Sequence, residues 1–471
     1  MGRTQNLVKN TMILAVGNIF TKLITFFLLP LYTAILSTEE YGIIDLLNTL
    51  VSLFLPIVTF QVEQAMFRRL IEIRDNEDEK KTVISTGIFS VVIQCLIYLV
   101  LFFIISSFID NNYKIFLATN VVAYIWASLL QQIARGVGNN KAYTISSIFS
   151  GIFTIVFNVL FLVAFKLQAY GMLLGTMIGQ IACVVYLFIV LKLHKYLKIK
   201  AFKKNVLKEL WKYSIPLIPN SISWWVFNAS DRVIVSAILG LGLNGILSAA
   251  NKFSSVYIMV YNFFHLSWIE SISIHINDED IEEFFSKMFN SSLRFFLAMG
   301  IGIIAVMPFV YPIMIDAKFA EGYYQVPILM IGSIFNVIVA LETAIYVAKK
   351  NTKAIAMTSG VSAVINVVVH MVLIKFIGLY AASISTLIAY FVMSIYRFVN
   401  IKKKYYKIKI DKSIILSAIG ILFILLPLYY INNKNLCLVG VLIAVIYALI
   451  LNRKSIKSIL ITLKEKIKSR G

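Results

Sequence analysis

The stretch YSIPLIPNSISWWVFNASDRVIVSAILG, residues 213–240, is long enough to cross a bilayer and carries two charges inside its apolar length. About 20 helical residues, each rising ~1.5 Å, span the ~30 Å hydrocarbon core. Asp231 and Arg232 would each cost about 2.5–3.5 kcal/mol facing lipid, so we expect them to face protein or water. Pro216 and Pro219 predict a weakened hydrogen-bond ladder at the start of this helix. A basic connector precedes it, which indicates the first helix of a second half.

The composition is typical of a polytopic α-helical membrane protein. Of the 471 residues, 59% are hydrophobic and only 14% are charged, which excludes an ordinary soluble domain. The net charge of +21 suggests nucleic-acid binding, but the basic residues flank apolar segments, so we expect no nucleic-acid partner. The three cysteines fall within apolar runs and lack the spacing of a disulfide framework or metal site, so we expect neither a metal nor a cofactor.

The apolar runs predict fourteen transmembrane helices. Six lie at 11–36, 41–65, 83–109, 115–132, 143–165 and 169–191; six more at 213–240, 243–268, 292–315, 324–347, 354–374 and 379–399; and two at 413–431 and 436–451.

Most of the 44 lysines and arginines lie in the loops on one side of these spans, together with both termini. The positive-inside rule makes that side cytoplasmic. We therefore expect a multi-pass membrane protein with both ends on the cytoplasmic side. An acidic loop at 271–287 lies on the same side, but acidic residues contribute little to the rule.

The spans and basic segments divide the chain into five predicted regions. They are a first lobe at 1–192, a basic amphipathic linker at 193–212, a second lobe at 213–400, two further spans at 401–453 and a basic amphipathic tail at 454–471. The linker and the tail have apolar residues at helical spacing between lysines, as expected of helices lying on an anionic membrane surface.

A faint internal repeat supports the two lobes. Tyr41-Gly42-Ile43-Ile44 and Asn244-Gly245-Ile246-Leu247 open the second span of each half. Six spans per lobe is an even number, so both lobes enter the membrane from the same side. This predicts a parallel pseudo-repeat of two six-helix lobes around a central site, plus two C-terminal helices.

Three basic residues inside spans are candidates for binding an anionic group. Lys22 and Arg232 occupy matching helices of the two lobes, and Lys252 lies in the next helix. A cavity lined by such groups suits a phosphate. The alternative is that they form structural ion pairs with carboxylates such as Asp45, Asp231 or Glu63.

Asp231 has a second interpretation. Together with Asn366 and Thr386 it could bind Na⁺ through oxygen ligands, or it could carry a proton. The alternative is a carboxylate paired with a lysine. No loop is long enough to hold a soluble catalytic domain and no ATP-binding loop is present, so we expect the protein not to be an enzyme.

Two motif regions resemble bacterial polysaccharide flippases. The first runs from Gly17-Asn18-Ile19-Phe20-Thr21-Lys22 through Leu29-Pro30-Leu31-Tyr32 to Leu36-Ser37-Thr38-Glu39-Glu40-Tyr41-Gly42. The second combines Ser214-Ile215-Pro216-Leu217-Ile218-Pro219-Asn220 with Ser230-Asp231-Arg232. The chain is similar along its whole length to the Wzx-type O-antigen and capsule flippases of the multidrug/oligosaccharidyl-lipid/polysaccharide exporter superfamily.

The resemblance implies alternating access and a lipid-linked oligosaccharide cargo, carried on undecaprenyl diphosphate from the inner to the outer leaflet. It implies that Lys22 and Arg232 hold the diphosphate and that Asp231 and Asn366 bind the coupling ion. Membrane lipids, a polysaccharide polymerase and glycosyltransferases are the candidate partners. The rival functions are a multidrug or cation exporter of the same superfamily and, less favoured, a membrane polysaccharide polymerase or ligase. The first would need an acidic, aromatic-lined cavity and the second a large external loop.

Overall fold

The computed structural model describes residues 23–107 and 112–468, and within these ranges the regular structure is entirely helical. The first half contains α1 Leu29–Ile35, α2 Thr38–Thr59, α3 Val62–Glu72, α4 Glu77–Ser106, α5 Lys114–Gly136, α6 Asn140–Val159, α7 Gln168–Val190, α8 Lys204–Ser214 and α9 Ile218–Ile238. The second contains α10 Leu241–His275, α11 Ile281–Met314, α12 Val326–Ala348, α13 Thr352–Ile377, α14 Tyr380–Lys404, α15 Lys412–Ile431 and α16 Lys434–Lys468.

The protein is an all-α polytopic membrane protein. In the described ranges, eleven helices are long and apolar enough to cross a membrane. Two further predicted spans, α9 and α10, are long enough but more polar, since they carry residues such as Asp231, Arg232 and Lys252. The first predicted span begins before residue 23 and therefore lies partly outside the described residues.

The second predicted span, 41–65, is wrong at its end. Helix α2 stops at Thr59, because Phe60 and Gln61 adopt left-handed backbone angles with φ of 51° and 55°. Pro56 has already removed one hydrogen bond from the last turn of α2. The chain then starts a separate helix, α3, so Arg68 and Arg69 lie on a helix and not in the predicted loop.

The acidic loop at 271–287 is also shorter than predicted. Helix α10 continues to His275 and α11 begins at Ile281, which leaves only five residues between them. Glu282 and Glu283 fall in the first turn of α11, where negative charge is stabilised by the helix dipole.

The linker at 193–212 is helical only in its second part. Leu193–Lys195 and Ile199–Ala201 form short 3₁₀ turns, and α8 starts at Lys204. The tail behaves differently, since α16 runs on from the last span to Lys468.

Contacts divide the chain into two compact units, Met1–Gly245 and Ile246–Gly471. In the first unit, α6 packs on α7, α5 packs on α7 and α3, and α9 packs against α2. In the second, α14 packs on α12 and α13, while α16 packs on α11 and α15. The contact boundary lies inside α10, whereas the sequence places the start of the second lobe at 213; the lobe boundaries remain a prediction.

Candidate functional site

The stretch that dominates the sequence forms α9 and the turn before it. Pro216 lies in a 3₁₀ turn, Ile215–Leu217, and Pro219 occupies the first turn of α9. Proline is accommodated there because the first amides of a helix have no partner within it. As predicted, the prolines mark a break between the preceding helix α8 and the span.

Polar side chains connect α9 to α2 within the first unit. At one end, the Gln61 side-chain amide donates to the carbonyl oxygen of Leu217 (3.3 Å) and to the Ser221 hydroxyl. Further along, the Trp225 indole N–H donates to the carbonyl oxygen of Thr49 at 2.9 Å. In a span, each such bond satisfies a group that lipid cannot satisfy. The two helices are therefore fixed to each other at several depths.

Arg232 contacts Asp45 in the same pair of helices. The Nε atom of Arg232 lies 3.1 Å from Oδ2 of Asp45, and their side chains are 27% and 14% exposed. Within the described residues this Oδ2 accepts no hydrogen bond, so the contact is an ion pair through Nε of the guanidinium. Of the carboxylates that the sequence offered as partners, the structure brings Asp45 to Arg232.

The start of α2 meets the start of α10 at two glycines, Gly42 and Gly245. The Asn244 side-chain amide donates to the carbonyl oxygen of Gly42 at 3.0 Å. A Cβ added at Gly42 would overlap the carbonyl oxygen of Leu241, and one added at Gly245 would overlap that of Thr38. Each glycine thus faces the carbonyl four residues before the other, which makes the contact symmetric. The faint sequence repeat had aligned these same two glycines.

The other predicted basic residues lie elsewhere. Lys22 is outside the described residues. Lys252 is half-buried on the part of α10 that belongs to the second unit, whereas Arg232 belongs to the first. A site shared by all three remains a prediction.

The predicted ion ligands are partly brought together. In the second unit, the Asn366 side-chain amide donates to the Thr386 hydroxyl at 3.1 Å, joining α13 to α14. Asn366 is fully buried, and its Oδ1 accepts no hydrogen bond from any described residue. A buried carbonyl oxygen without a donor is suited to a proton donor or a cation. Asp231 lies in the first unit.

Arg397 was not among the residues that the sequence indicated, yet it is the most deeply buried cation of the second unit's described residues. It is 1% exposed on α14 and donates to Thr343 Oγ1 at 2.7 Å and to Thr358 Oγ1 at 2.8 Å. Glu342, also 1% exposed, interacts with it electrostatically. The available signal was an arginine inside the apolar segment 379–399.

Comparisons with solved structures identify the fold. The chain is similar to a lipid II flippase, MurJ, in an inward closed conformation, with a TM-score of 0.70 and 17% identity over 94% of this chain and 100% of that one. It is also similar to an inward-facing multidrug resistance MATE family transporter of the MOP superfamily, with a TM-score of 0.66 and 13% identity over 83% of this chain and 99% of that one. At these identities the likeness shows a shared fold.

Sequence comparison gives the family. No curated protein sequence is similar enough to match the chain. The family model described as "Polysaccharide biosynthesis protein" matches residues 7–269, which is more than half of the 471 residues. The chain therefore belongs to the polysaccharide biosynthesis protein family.

Proposed function

We propose that the protein is a flippase that moves undecaprenyl-diphosphate-linked oligosaccharide repeat units from the inner to the outer leaflet for surface polysaccharide assembly. The observation that carries the proposal is the family match of residues 7–269 in a chain with the fold of a lipid II flippase. The cargo has a sugar and a diphosphate that the hydrocarbon core excludes, and a prenyl tail that can stay in lipid. A membrane protein that shields only the polar part meets this requirement.

Arg232 is the proposed diphosphate ligand, with Lys22 and Lys252 as further basic ligands. Its guanidinium is held on α9 by Asp45, about six residues from the end of the helix, and part of its side chain stays exposed. Because Asp45 contacts Nε, the remaining N–H groups can meet a phosphate in a bidentate manner. The pair also explains how a charge is retained at this depth before cargo arrives.

The energy source we propose is an ion gradient or the membrane potential, because the sequence has no ATP-binding loop. An inside-negative potential favours outward movement of an anion by about 2.3 kcal/mol per charge per 100 mV. Asp231, Asn366 and Thr386 are the proposed ligands for Na⁺ or H⁺, and the buried Oδ1 of Asn366 supports that assignment. The polymerase and glycosyltransferases that make and consume the repeat unit are proposed partners, and the cytoplasmic membrane is the proposed location.

Replacement of Arg232 in the host cell tests the proposal. We expect Arg232→Ala to abolish surface polysaccharide and to cause lipid-linked repeat units to accumulate, with normal protein abundance. Arg232→Lys should keep part of the activity, since an ammonium cannot reproduce bidentate contact. The matched control is Arg69→Ala, which removes an arginine whose ion pairs with Glu72, Glu79 and Glu209 are partly exposed to solvent. Surface polysaccharide and extracted lipid carriers are quantified in each strain.

Two outcomes would count against the substrate role of Arg232. Normal polysaccharide with Arg232→Ala would show that the cargo does not need this group. Loss of the protein itself, repaired by also introducing Asp45→Ala, would show that Arg232 serves only to neutralise Asp45. A multidrug exporter would instead give drug sensitivity and no accumulated lipid carrier on deletion of the whole gene.

A further inference from the structure

A cavity of about 800 Å³ is lined by residues of the second unit. Its walls come from α11, α12, α14 and α15, with the segment 407–410 closing one end. The size is within the ~300–1,000 Å³ typical of ligand pockets. Most of the lining is aliphatic or aromatic, including Phe289, Phe335, Phe398 and Leu422. We call this cavity the α14/α15 cleft.

The cleft is about as deep as one leaflet of a bilayer. Lys412 and Leu422 both line it and are ten residues apart on α15, which corresponds to a rise of about 15 Å. Lys402 and Phe391 bracket a similar length of α14. Half of the ~30 Å hydrocarbon core is also about 15 Å. An acyl chain that enters at the lysine end would therefore reach roughly the middle of the membrane.

The edges of the cleft are apolar and open. Phe391 and Ile395 on α14 are 44% and 48% exposed, and Ile415 and Ile419 on α15 are 40% and 45% exposed. These four side chains line the cleft from the two helices. An acyl chain in the cleft would cover the apolar surface of these side chains. That surface would be removed from water, or would stay in contact with hydrocarbon where it already faces lipid.

One end of the cleft is strongly basic. Four exposed lysines line it: Lys402, Lys407, Lys409 and Lys412. Two carboxylates at this end already have partners. Asp411 binds Arg294 with an Oδ2–Nη2 distance of 2.9 Å, and the Ser413 hydroxyl and Arg294 hold the pKa of that carboxyl below its usual value.

The second carboxylate, Glu282, accepts a hydrogen bond from the backbone N–H of Lys407 at 2.8 Å. This contact and the Asp411–Arg294 pair fix the basic segment to α11. The lysine side chains thus extend from an anchored backbone, and their charge is complementary to an anion.

Deeper in the cleft, the acidic residue Glu342 is balanced by its neighbour. Glu342 lines the cleft from α12 and interacts electrostatically with the buried guanidinium of Arg397. Ser394, on α14, is the other polar side chain of the inner lining. The inner wall of the cleft is consequently apolar, and the positive charge of the lining is concentrated at the lysine end.

We propose that the α14/α15 cleft binds an anionic phospholipid of the predicted cytoplasmic leaflet, with its phosphate on the four lysines and one acyl chain along the apolar wall. Basic pockets between membrane helices on the cytoplasmic side suit such head groups. An undecaprenyl chain is much longer than a leaflet-deep cleft, so its fit is poorer than that of an ordinary acyl chain. Arg232, the proposed cargo ligand, is not among the residues that line the cleft, and the proposal does not depend on the flippase assignment.

Native mass spectrometry of the purified full chain tests the site. The probes are phosphatidylglycerol and phosphatidylcholine with identical acyl chains, titrated against the protein in detergent. We expect phosphatidylglycerol to bind preferentially. The double variant Lys407→Gln/Lys409→Gln should weaken its binding by about fivefold per lysine, and so by roughly 25-fold in total. The control Lys403→Gln/Lys404→Gln removes the same charge from exposed lysines outside the lining, and should retain binding.

Three results would overturn the proposal. Equal binding of the two lipids would exclude recognition of the anionic head group. Equal losses in the cleft variant and the control variant would show a diffuse charge effect. Complete displacement of phosphatidylglycerol by equimolar undecaprenyl phosphate would assign the cleft to the cargo. Filling the cleft with Ala418→Phe gives an independent check, since it should reduce binding without removing any charge, and unchanged binding would exclude an acyl chain beside α15.

Discussion

The guanidinium of Arg397 lies within a membrane-spanning helix and is nevertheless almost completely buried. It donates to hydroxyl groups on α12 and α13 as well as to backbone carbonyls, including that of Ile355 at 3.4 Å. Thr343 and Thr358 already donate their own hydroxyls to carbonyls one turn earlier, at 2.7 and 2.8 Å, so they meet Arg397 as acceptors. One side chain therefore joins three helices and interacts electrostatically with Glu342.

Removal of this cation should be costly. We expect Arg397→Met to destabilise the protein by about 1–3 kcal/mol, because Thr343, Thr358 and Glu342 lose a charged partner in the interior. Arg397→Met/Glu342→Met should recover much of that loss, since both threonine hydroxyls keep their carbonyl partners. The measurement is the apparent melting temperature in detergent. Arg69→Met serves as the control and should cost less, because the ion pairs of Arg69 with Glu72, Glu79 and Glu209 are partly exposed to solvent. A double variant no more stable than Arg397→Met would disprove the electrostatic explanation.

For single residues, the sequence indicated which side chains are important, but it did not predict which of them are in contact. A charge within a span marks Arg232 as important, and the structure supplies its partner, Asp45. These residues are far apart in the chain, so no local spacing could have selected Asp45 over Asp231 or Glu63. Asn366 and Thr386, which the sequence grouped with Asp231 as candidate ion ligands, form a hydrogen bond between two adjacent spans, and their role as ion ligands stays a prediction.

Among the helix pairs of the site, α2 and the start of α10 come so close that their backbones touch at Gly42 and Gly245. Small residues let membrane helices touch backbone to backbone. We expect Gly42→Ala to destabilise the protein by about 1–3 kcal/mol, because the new Cβ would overlap the Leu241 carbonyl. Gly360→Ala is the matched control, since no described atom lies within 4 Å of its Cβ position. Alanine in that helix should be neutral or stabilising by up to about 1 kcal/mol.

Apparent melting temperatures of the two purified variants check this contrast. An unchanged melting temperature in Gly42→Ala would mean that the two helices are not tightly packed at this point. Gly245→Ala tests the symmetry of the contact, since its Cβ would overlap the Thr38 carbonyl in the corresponding way, and its effect should be similar to that of Gly42→Ala.

Helix existence was predictable from the apolar runs, whereas helix ends were not. The break at Phe60 and Gln61 depends on left-handed backbone angles that neither residue type favours, and Gln61 reaches across to Ser221. Tertiary contact therefore decides that end. Glu282 and Glu283, predicted to lie in a loop, are in the first turn of a helix. The prediction failed because polarity alone does not distinguish a loop from a helix that protrudes beyond the membrane.

For the whole molecule, the orientation in the membrane rests on the distribution of lysine and arginine. The segment 401–412 alone contains six lysines, and the connector 192–212 is similarly rich. The loops predicted on the other side are short and contain few such residues. Because basic residues resist translocation, the two sets of loops should lie on opposite sides of the membrane.

Site-directed cysteine labelling tests this orientation. We expect cysteines placed at Asn112 and Asn433 to react with an impermeant thiol reagent in intact cells, and cysteines at Asn205 and Lys403 to react only after lysis. All four positions are exposed, so accessibility is set by the side of the membrane. The parent chain is the control, because its three free cysteines are buried and should stay unlabelled. Labelling at Asn205 or Lys403 in intact cells would refute the positive-inside assignment, and it would also place the basic end of the α14/α15 cleft in the outer leaflet.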